Sequence, residues 1–202
     1  MANYRAQSRK AWELSALTKL KTSGKIGARA VQYIADNKVK LAFAKQTTGA
    51  KWTLQGMTIG PPIIEINSKQ AQAVLSGADA WSISLIAHEA KHYEQGLLKA
   101  LSVYGELEAW QLQMKVLREL GAPPTHAALL AIEKLKLSHD EKTLKQAARL
   151  MKKYDPGYQI DLLPLNPGGL DSVTNLFRSV VGSPKAPPMK PASKVTNKKS
   201  PR

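Results

Sequence analysis

The sequence predicts an α+β domain in which helices predominate and a small antiparallel sheet precedes a long central helix. Three observations support this class. Apolar residues recur at helical spacing over most of the chain. Residues 39–67 change instead to the apolar–polar alternation that is typical of strands. Hydrophobic residues make up 43% of the 202 residues, which is enough to form a buried core.

The first 37 residues are predicted to form an N-terminal helical region. Apolar side chains follow a helical stripe over residues 4–22, and a second short helix is expected over 28–37. Gly24 and Gly27 lie between the two patterns and interrupt them.

The strand pattern covers three neighbouring segments, and we expect two or three antiparallel strands over residues 39–67. The segment VKLAFAK at 39–45 alternates apolar and polar residues, and the segment TTGAKWTLQG at 47–56 follows it, with Gly49 as a turn signal. The segment at 57–67 contains Pro61 and Pro62. Because proline cannot donate to a strand ladder, this segment is either an edge strand or is broken at the prolines.

Helical periodicity returns after residue 67. Ser102 is a candidate N-cap and Gly121 a candidate helix end, and Thr125 can cap the next helix. The expected helices cover residues 68–77, 78–101, 102–121 and 125–137, and one runs from Ser138 or Asp140 to Tyr154.

The rest of the chain divides into three regions by composition. Residues 38–156 hold the sheet and the main helices, and residues 157–182 form a loop with a last short helix. Residues 183–202 carry six basic residues, five prolines and no acidic residue. Such a segment cannot bury a core, so we expect a disordered basic tail.

Composition excludes some chemistry and leaves other partners open. No cysteine is present, which excludes disulfides, thiolate metal sites and cysteine nucleophiles. The net charge of +15 favours either non-specific nucleic-acid binding through the basic surface and tail or simply a solvated surface. No signal peptide or membrane-spanning run is recognisable, so we expect a cytoplasmic location, with a phage- or effector-associated role left open.

The segment HEAKH contains the chain's most specific chemical pattern. His88 and His92 are four residues apart, so on a helix both rings face the same side and can bind one metal ion. Imidazole suits zinc. Glu89 lies about 100° round the helix, where a carboxylate can act as general base on a water molecule. The alternative interpretation is two ordinary surface histidines and a salt-bridged glutamate.

A catalytic zinc ion needs a third protein ligand, and the next helix offers two candidates. Glu106 and Glu108 both occur in the segment GELEAW. They point to different faces of that helix, and either carboxylate could be the ligand.

The pair HEAKH and ELEAW resembles the gluzincin metallopeptidases over roughly residues 57–115. The resemblance implies that His88 and His92 bind zinc, that Glu89 is the general base and that Glu106 is the third ligand, which we favour over Glu108. It also implies a zincin-like catalytic core within residues 38–156. The form HEAKHYEQ is similar to small bacterial and phage HExxHxxQ proteins that carry a later E-x-E-A segment.

One position departs from this family pattern, and several other side chains have competing interpretations. Trp110 stands where the longer pattern has an aspartate that orients a ligand, and Asp79 or Glu94 could substitute. Packing is the favoured role for Tyr93 and Tyr104 over an oxyanion contact. The side chains for which a structural or surface role is expected are Gln95, His126 and His139.

The resulting prediction is a zinc-dependent metallopeptidase that acts on a peptide or protein substrate. The strand at 57–67 is expected to align the substrate backbone. The alternative is an inactive zincin-like basic protein that binds nucleic acid or has a structural role. The sequence does not indicate a substrate preference or an oligomeric state.

Overall fold

The computed structural model describes residues 2–44, 50–52, 62–67 and 79–168. The described part is mostly helical and contains a small three-stranded sheet, which agrees with the predicted helix-rich α+β class. The helices are α1 (Ala2–Ser23), α2 (Lys25–Asp36), α3 (Ala80–Gln95), α4 (Leu97–Ala100), α5 (Val103–Glu119), α6 (Ala127–Lys134) and α7 (Glu141–Tyr154), and the strands are β1 (Lys40–Ala44), β2 (Ala50–Trp52) and β3 (Ile63–Asn67).

The sheet is mixed, so the prediction of an antiparallel sheet is wrong for one of its two strand pairs. The strand order is β1-β3-β2; β3 runs parallel to β1 and antiparallel to β2. Lys40 pairs with Ile63, and Ala50 pairs with Ile66. The third strand inserts between the first two instead of adding to the outside. Alternation identifies strands but carries no signal for their order.

The segment around the prolines is not an edge strand, because β3 is the central strand of the described sheet. The ladder begins at Ile63, directly after Pro62. The alternative of a strand broken at the prolines stays a prediction, because residues 57–61 lie outside the described ranges. The carbonyl of Pro62 accepts from the backbone N–H of Lys40 at 2.8 Å, a role that needs no proline donor. Ile64 and Ile66 are fully buried.

Helices α3 and α5 pack on each other and separate two apolar clusters. One cluster joins the helical hairpin α1–α2 and the sheet to α3, with Trp12, Leu20 and Ile86 among its buried members. The other joins α5 to α6 and α7, with Met114 and Leu144 among its buried members. The facing surfaces of α3 and α5 are therefore held from both sides.

Capping residues set most helix ends. Ser102 accepts from the backbone N–H of Gly105 and Asp140 accepts from that of Thr143, which confirms both caps. Gly121, with φ of 72°, follows α5 as expected. The prediction that Thr125 caps α6 is wrong, because the ring of His126 accepts the capping hydrogen bond from the backbone N–H of Ala128. That helix ends at Lys134, before the predicted Leu137.

The predicted helix over residues 78–101 is two helices. Gly96 has φ of 72° and ends α3 at Gln95, and the short helix α4 follows directly. Left-handed backbone at this position suits glycine and stops the helical ladder. The turn at Gly49, the expected helices over 68–77 and 171–182, and the basic tail at 183–202 lie outside the described residues. Within the described ranges, none of the helices is both long enough and apolar enough to span a membrane.

Helix α2 begins earlier than predicted because a distant carboxylate caps it. Glu119, at the end of α5, accepts from the backbone N–H groups of Ile26 (3.1 Å) and Gly27 (3.0 Å). Gly24 leaves room for this carboxylate, since a Cβ there would overlap it. A charged acceptor at a helix N-terminus satisfies N–H groups that have no partner within the helix.

We expect Glu119→Ala to lower the free energy of unfolding by about 1–2 kcal/mol, because two helix N–H groups lose their acceptor. Urea unfolding followed by circular dichroism measures this loss. The matched control is Glu133→Ala, which removes a half-buried carboxylate paired with the exposed Arg118 and is expected to cost less than about 1 kcal/mol. Equal losses in the two variants would contradict the capping role.

Candidate metal centre

The candidate site lies where the middle of α3 faces the first turn of α5. Asp79 caps α3 by accepting from the backbone N–H of Ser82. Gly105 lets the start of α5 pack closely, because a Cβ at this position would overlap the backbone carbonyl of Lys99. The close contact at Gly105 is with α4, and the next residue, Glu106, lies in the first turn of α5 against the α3 face that carries the histidines.

Three donor side chains converge on one point. The Nε2 atoms of His88 and His92 are 3.0 Å apart. The two carboxylate oxygens of Glu106 lie 3.6 Å from Nε2 of His88 and 3.5 Å from Nε2 of His92. The three residues therefore form a group that can hold a metal ion.

The donor group is removed from solvent. His88 and His92 are each 4% exposed and Glu106 is 9% exposed. Glu89, which follows His88 on α3, is 5% exposed. Buried charged groups of this kind require a compensating charge or hydrogen bonds. Electrostatic interactions between groups buried in this way are stronger than the same interactions in water.

The pKa values of the facing groups move in opposite directions. Burial acts to raise the pKa of Glu106, but His92 and His88 outweigh burial and hold that pKa well below its usual range. Burial acts to lower the pKa of His92, but Glu106 and Glu89 outweigh it and raise the pKa to about 9. The carboxylate therefore stays ionised in a buried position, which suits a ligand for a cation.

A tyrosine that the sequence analysis did not single out completes the environment of Glu106. The hydroxyl of Tyr158 donates to Oε2 of Glu106 at 2.5 Å. Burial and the Glu106 carboxylate raise the pKa of Tyr158 well above its usual value, so the hydroxyl keeps its proton. Tyr158 lies in the segment predicted as a loop, 52 residues from its partner, and no local pattern marks it.

The two histidines differ in the groups that contact them outside the donor group. Nδ1 of His92 lies 3.0 Å from Oε1 of Gln95, so the predicted structural hydrogen bond of Gln95 involves a candidate ligand. Nδ1 of His88 is buried and has no hydrogen-bond partner within the described ranges. The ring of Trp110 packs edge-on against His88, with 5.9 Å between ring centroids. The position where the family pattern has an aspartate is therefore filled by an apolar contact.

The two carboxylates proposed as substitutes for that aspartate have other partners. Asp79 accepts from Ser82 at the start of α3, and Glu94 pairs with Lys91 and Arg29. Within the described residues, neither carboxylate forms a hydrogen bond or ion pair with a histidine. Asp79 is an N-cap, and Glu94 forms ion pairs at the surface.

Glu108 faces away from the histidines. Its carboxylate forms ion pairs with Lys91 (3.1 Å) and Lys99 (2.6 Å) and accepts from Gln95 at 2.9 Å. Of the two carboxylates that the sequence offered, only Glu106 lies in the donor group.

The remaining candidates have structural contacts. The hydroxyl of Tyr93 donates to the carbonyl of Ile63 and accepts from its N–H, which ties α3 to β3. Tyr104 stacks on His139 with 4.0 Å between ring centroids. His126 caps α6. These contacts agree with packing and capping roles.

A cleft of about 440 Å³ lies beside a different face of α3 from the donor group. Its lining includes Lys91, Glu94 and Glu108, which already form ion pairs, together with apolar residues of α2 and α5. It contains none of the three donor residues.

The spacing of the donor atoms is compatible with one shared ion. Zinc bonds to histidine nitrogen and carboxylate oxygen at about 2.0–2.2 Å, so two ligand atoms of a tetrahedral site are about 3.3 Å apart. The two Nε2 atoms are 3.0 Å apart, and the distances to Glu106 end on different oxygens: 3.6 Å from His88 to Oε2 and 3.5 Å from His92 to Oε1. With one ligand atom from each residue, all three atoms lie within 4.8 Å of one another. Two imidazoles and one carboxylate are also a donor set that zinc accepts.

Comparisons with known proteins identify no relative of this chain. No family model matches the chain, and no curated protein or solved structure matches it. The gluzincin resemblance therefore stays a sequence prediction.

We expect zinc to raise the thermal unfolding midpoint of the wild-type chain by about 5–10 °C at a hundred times the dissociation constant. The reason is that the ion binds the assembled donor group and not the unfolded chain. His92→Ala and Glu106→Ala should abolish the shift. His139→Ala, which removes a histidine outside the group, should retain it. An unchanged wild-type midpoint in excess zinc would contradict the metal centre.

Proposed function

We propose that this chain is a zinc-dependent metallopeptidase of the gluzincin type with a zincin-like core. One observation carries the proposal: His88, His92 and Glu106 form a buried donor triangle, and Glu89 lies buried beside it on the same helix. A structural zinc site commonly uses four protein ligands, whereas a catalytic site uses three and leaves a position for water or substrate. Among the described residues this group has three protein donors, which favours a catalytic role.

The proposed reaction is hydrolysis of a peptide bond. Zinc bound at this donor set supplies a Lewis acid that polarises a carbonyl and makes water a better nucleophile at neutral pH. Glu89 accepts a proton from the attacking water and delivers it to the nitrogen of the leaving amine. Tyr158 donates to Glu106 and keeps its carboxylate oriented, as outer hydrogen bonds do at metal sites.

The strand that aligns the substrate must be reassigned. Strand β3 is paired on both sides and cannot accept a further strand. In the described sheet β2 is an edge strand and it also contacts α3, which carries the histidines. An extended peptide can pair with the backbone of such an edge. We therefore propose β2 as the strand along which the substrate lies.

We expect Glu89→Gln to lower the rate of peptide hydrolysis by about 10²–10⁴-fold, because the amide cannot accept the proton from water. Cleavage is measured on a proteome-derived peptide library, with new N-termini identified by mass spectrometry. Zinc content, measured in parallel, should be the same in both proteins. Equal cleavage by the variant and the wild type would contradict the base role.

A second candidate function is binding of nucleic acid by a zincin-like protein without hydrolysis. The observation that favours it is the solvent-facing side of α7, where five basic side chains are exposed: Lys142, Lys145, Arg149, Lys152 and Lys153. Phosphate binding by such a surface weakens steeply as salt rises. Zinc binding without any cleavage, together with salt-sensitive binding of a DNA duplex, would favour this candidate over the peptidase.

A further inference from the structure

A chain of hydrogen bonds leads from His92 away from the donor group. Nδ1 of His92 lies 3.0 Å from Oε1 of Gln95. The amide nitrogen of Gln95 donates to the carbonyl of Gly105 and to Oε2 of Glu108, each at 2.9 Å. The chain thus connects a candidate ligand on α3 with two acceptors on α5.

The chemistry of these groups fixes the direction of every bond. A backbone carbonyl and a carboxylate only accept hydrogen bonds, so Gln95 must present its NH₂ group to Gly105 and Glu108. Its oxygen then faces His92. Because an amide oxygen also only accepts, Nδ1 of His92 must carry the proton. The orientation of an amide and the tautomer of a histidine are decided by such a network.

The last acceptor in the chain is itself held in place. Lys91 and Lys99 donate to the carboxylate of Glu108 at 3.1 Å and 2.6 Å. These ion pairs come from α3 and from α4, on either side of the turn at Gly96. Glu108 is therefore positioned by the helices that flank Gln95.

We infer that Gln95 and Glu108 are positioning residues of the metal centre, an inference that rests on the proposed metal site. Glu108, together with the carbonyl of Gly105, sets the orientation of the Gln95 amide, and Gln95 sets the tautomer of His92. With the proton on Nδ1, the lone pair of Nε2 faces His88 and Glu106 and is available to a metal ion. Glu108, the carboxylate that is not in the donor group, thus acts on the centre through two hydrogen bonds.

The test measures the zinc dissociation constant of the full chain by competition with a chromophoric chelator. Gln95→Met and Glu108→Met keep the side-chain length and remove the hydrogen-bonding groups, and each should weaken zinc binding by about 10–100-fold. Because Glu108 acts through Gln95, the double variant should bind zinc no more weakly than Gln95→Met alone. Glu94→Met is the matched control and should leave the constant unchanged, because this carboxylate also pairs with Lys91 but, among the described residues, forms no hydrogen bond with Gln95.

Two further readouts separate positioning from loss of structure. Glu108→Gln keeps an acceptor oxygen and should bind zinc nearly as tightly as the wild type does. If the negative charge of Glu108 were required instead, this variant would bind zinc more weakly. In the zinc-loaded wild type, proton NMR should show an exchange-protected Nδ1–H of His92, and Gln95→Met should lose that protection while the rest of the spectrum stays folded.

The outcomes distinguish this inference from the proposed function. Zinc uptake by the wild type with an unchanged constant in Gln95→Met would overturn the positioning role and leave the metal centre intact. Additive losses in the double variant would overturn the path from Glu108 through Gln95. If the wild type takes up no zinc, both the centre and the positioning role are wrong.

Discussion

The structure depends on a carboxylate that is kept ionised in a buried position between two imidazole rings. Removing a carboxylate from water costs several kcal/mol unless a positive charge and hydrogen bonds compensate. Glu106 is compensated by His88, His92 and the hydroxyl of Tyr158. A divalent cation meets the same requirement more strongly, because it interacts with the carboxylate and with both nitrogen lone pairs. The requirement explains why donors from α3 and α5 meet at one point.

The rest of the fold supports this contact from two sides. The helical hairpin and the sheet pack on one side of α3, while α6, α7 and the segment that carries Tyr158 pack on α5. Two long-range contacts fix the placement of these layers. Glu119 caps α2 from the end of α5, and Tyr93 ties α3 to the backbone of Ile63. The donor triangle is therefore held by rigid elements, as a site with sub-ångström tolerance needs.

Features that depend on residues close together in the chain could be predicted from the sequence. Features that depend on contacts between distant residues could not. The spacing of His88 and His92 and the cap at Ser102 are properties of neighbouring residues, so the sequence contains them. Strand order, the cap from Glu119 and the hydrogen bond from Tyr158 join residues far apart in the chain, and no periodicity encodes them. Gly96 lies within the predicted helix over 78–101, but a glycine within a helical pattern does not by itself predict a helix end. Whether it ends the helix depends on its backbone angle, which packing determines.

The most direct measurement of the central claim is anomalous diffraction at the zinc absorption edge from crystals grown with zinc. We expect one strong peak about 2.0–2.2 Å from the Nε2 atoms of His88 and His92 and from a carboxylate oxygen of Glu106. Gln95 should remain hydrogen-bonded to His92. Absence of a peak at this position, or a peak whose carboxylate ligand is Glu108, would contradict the account.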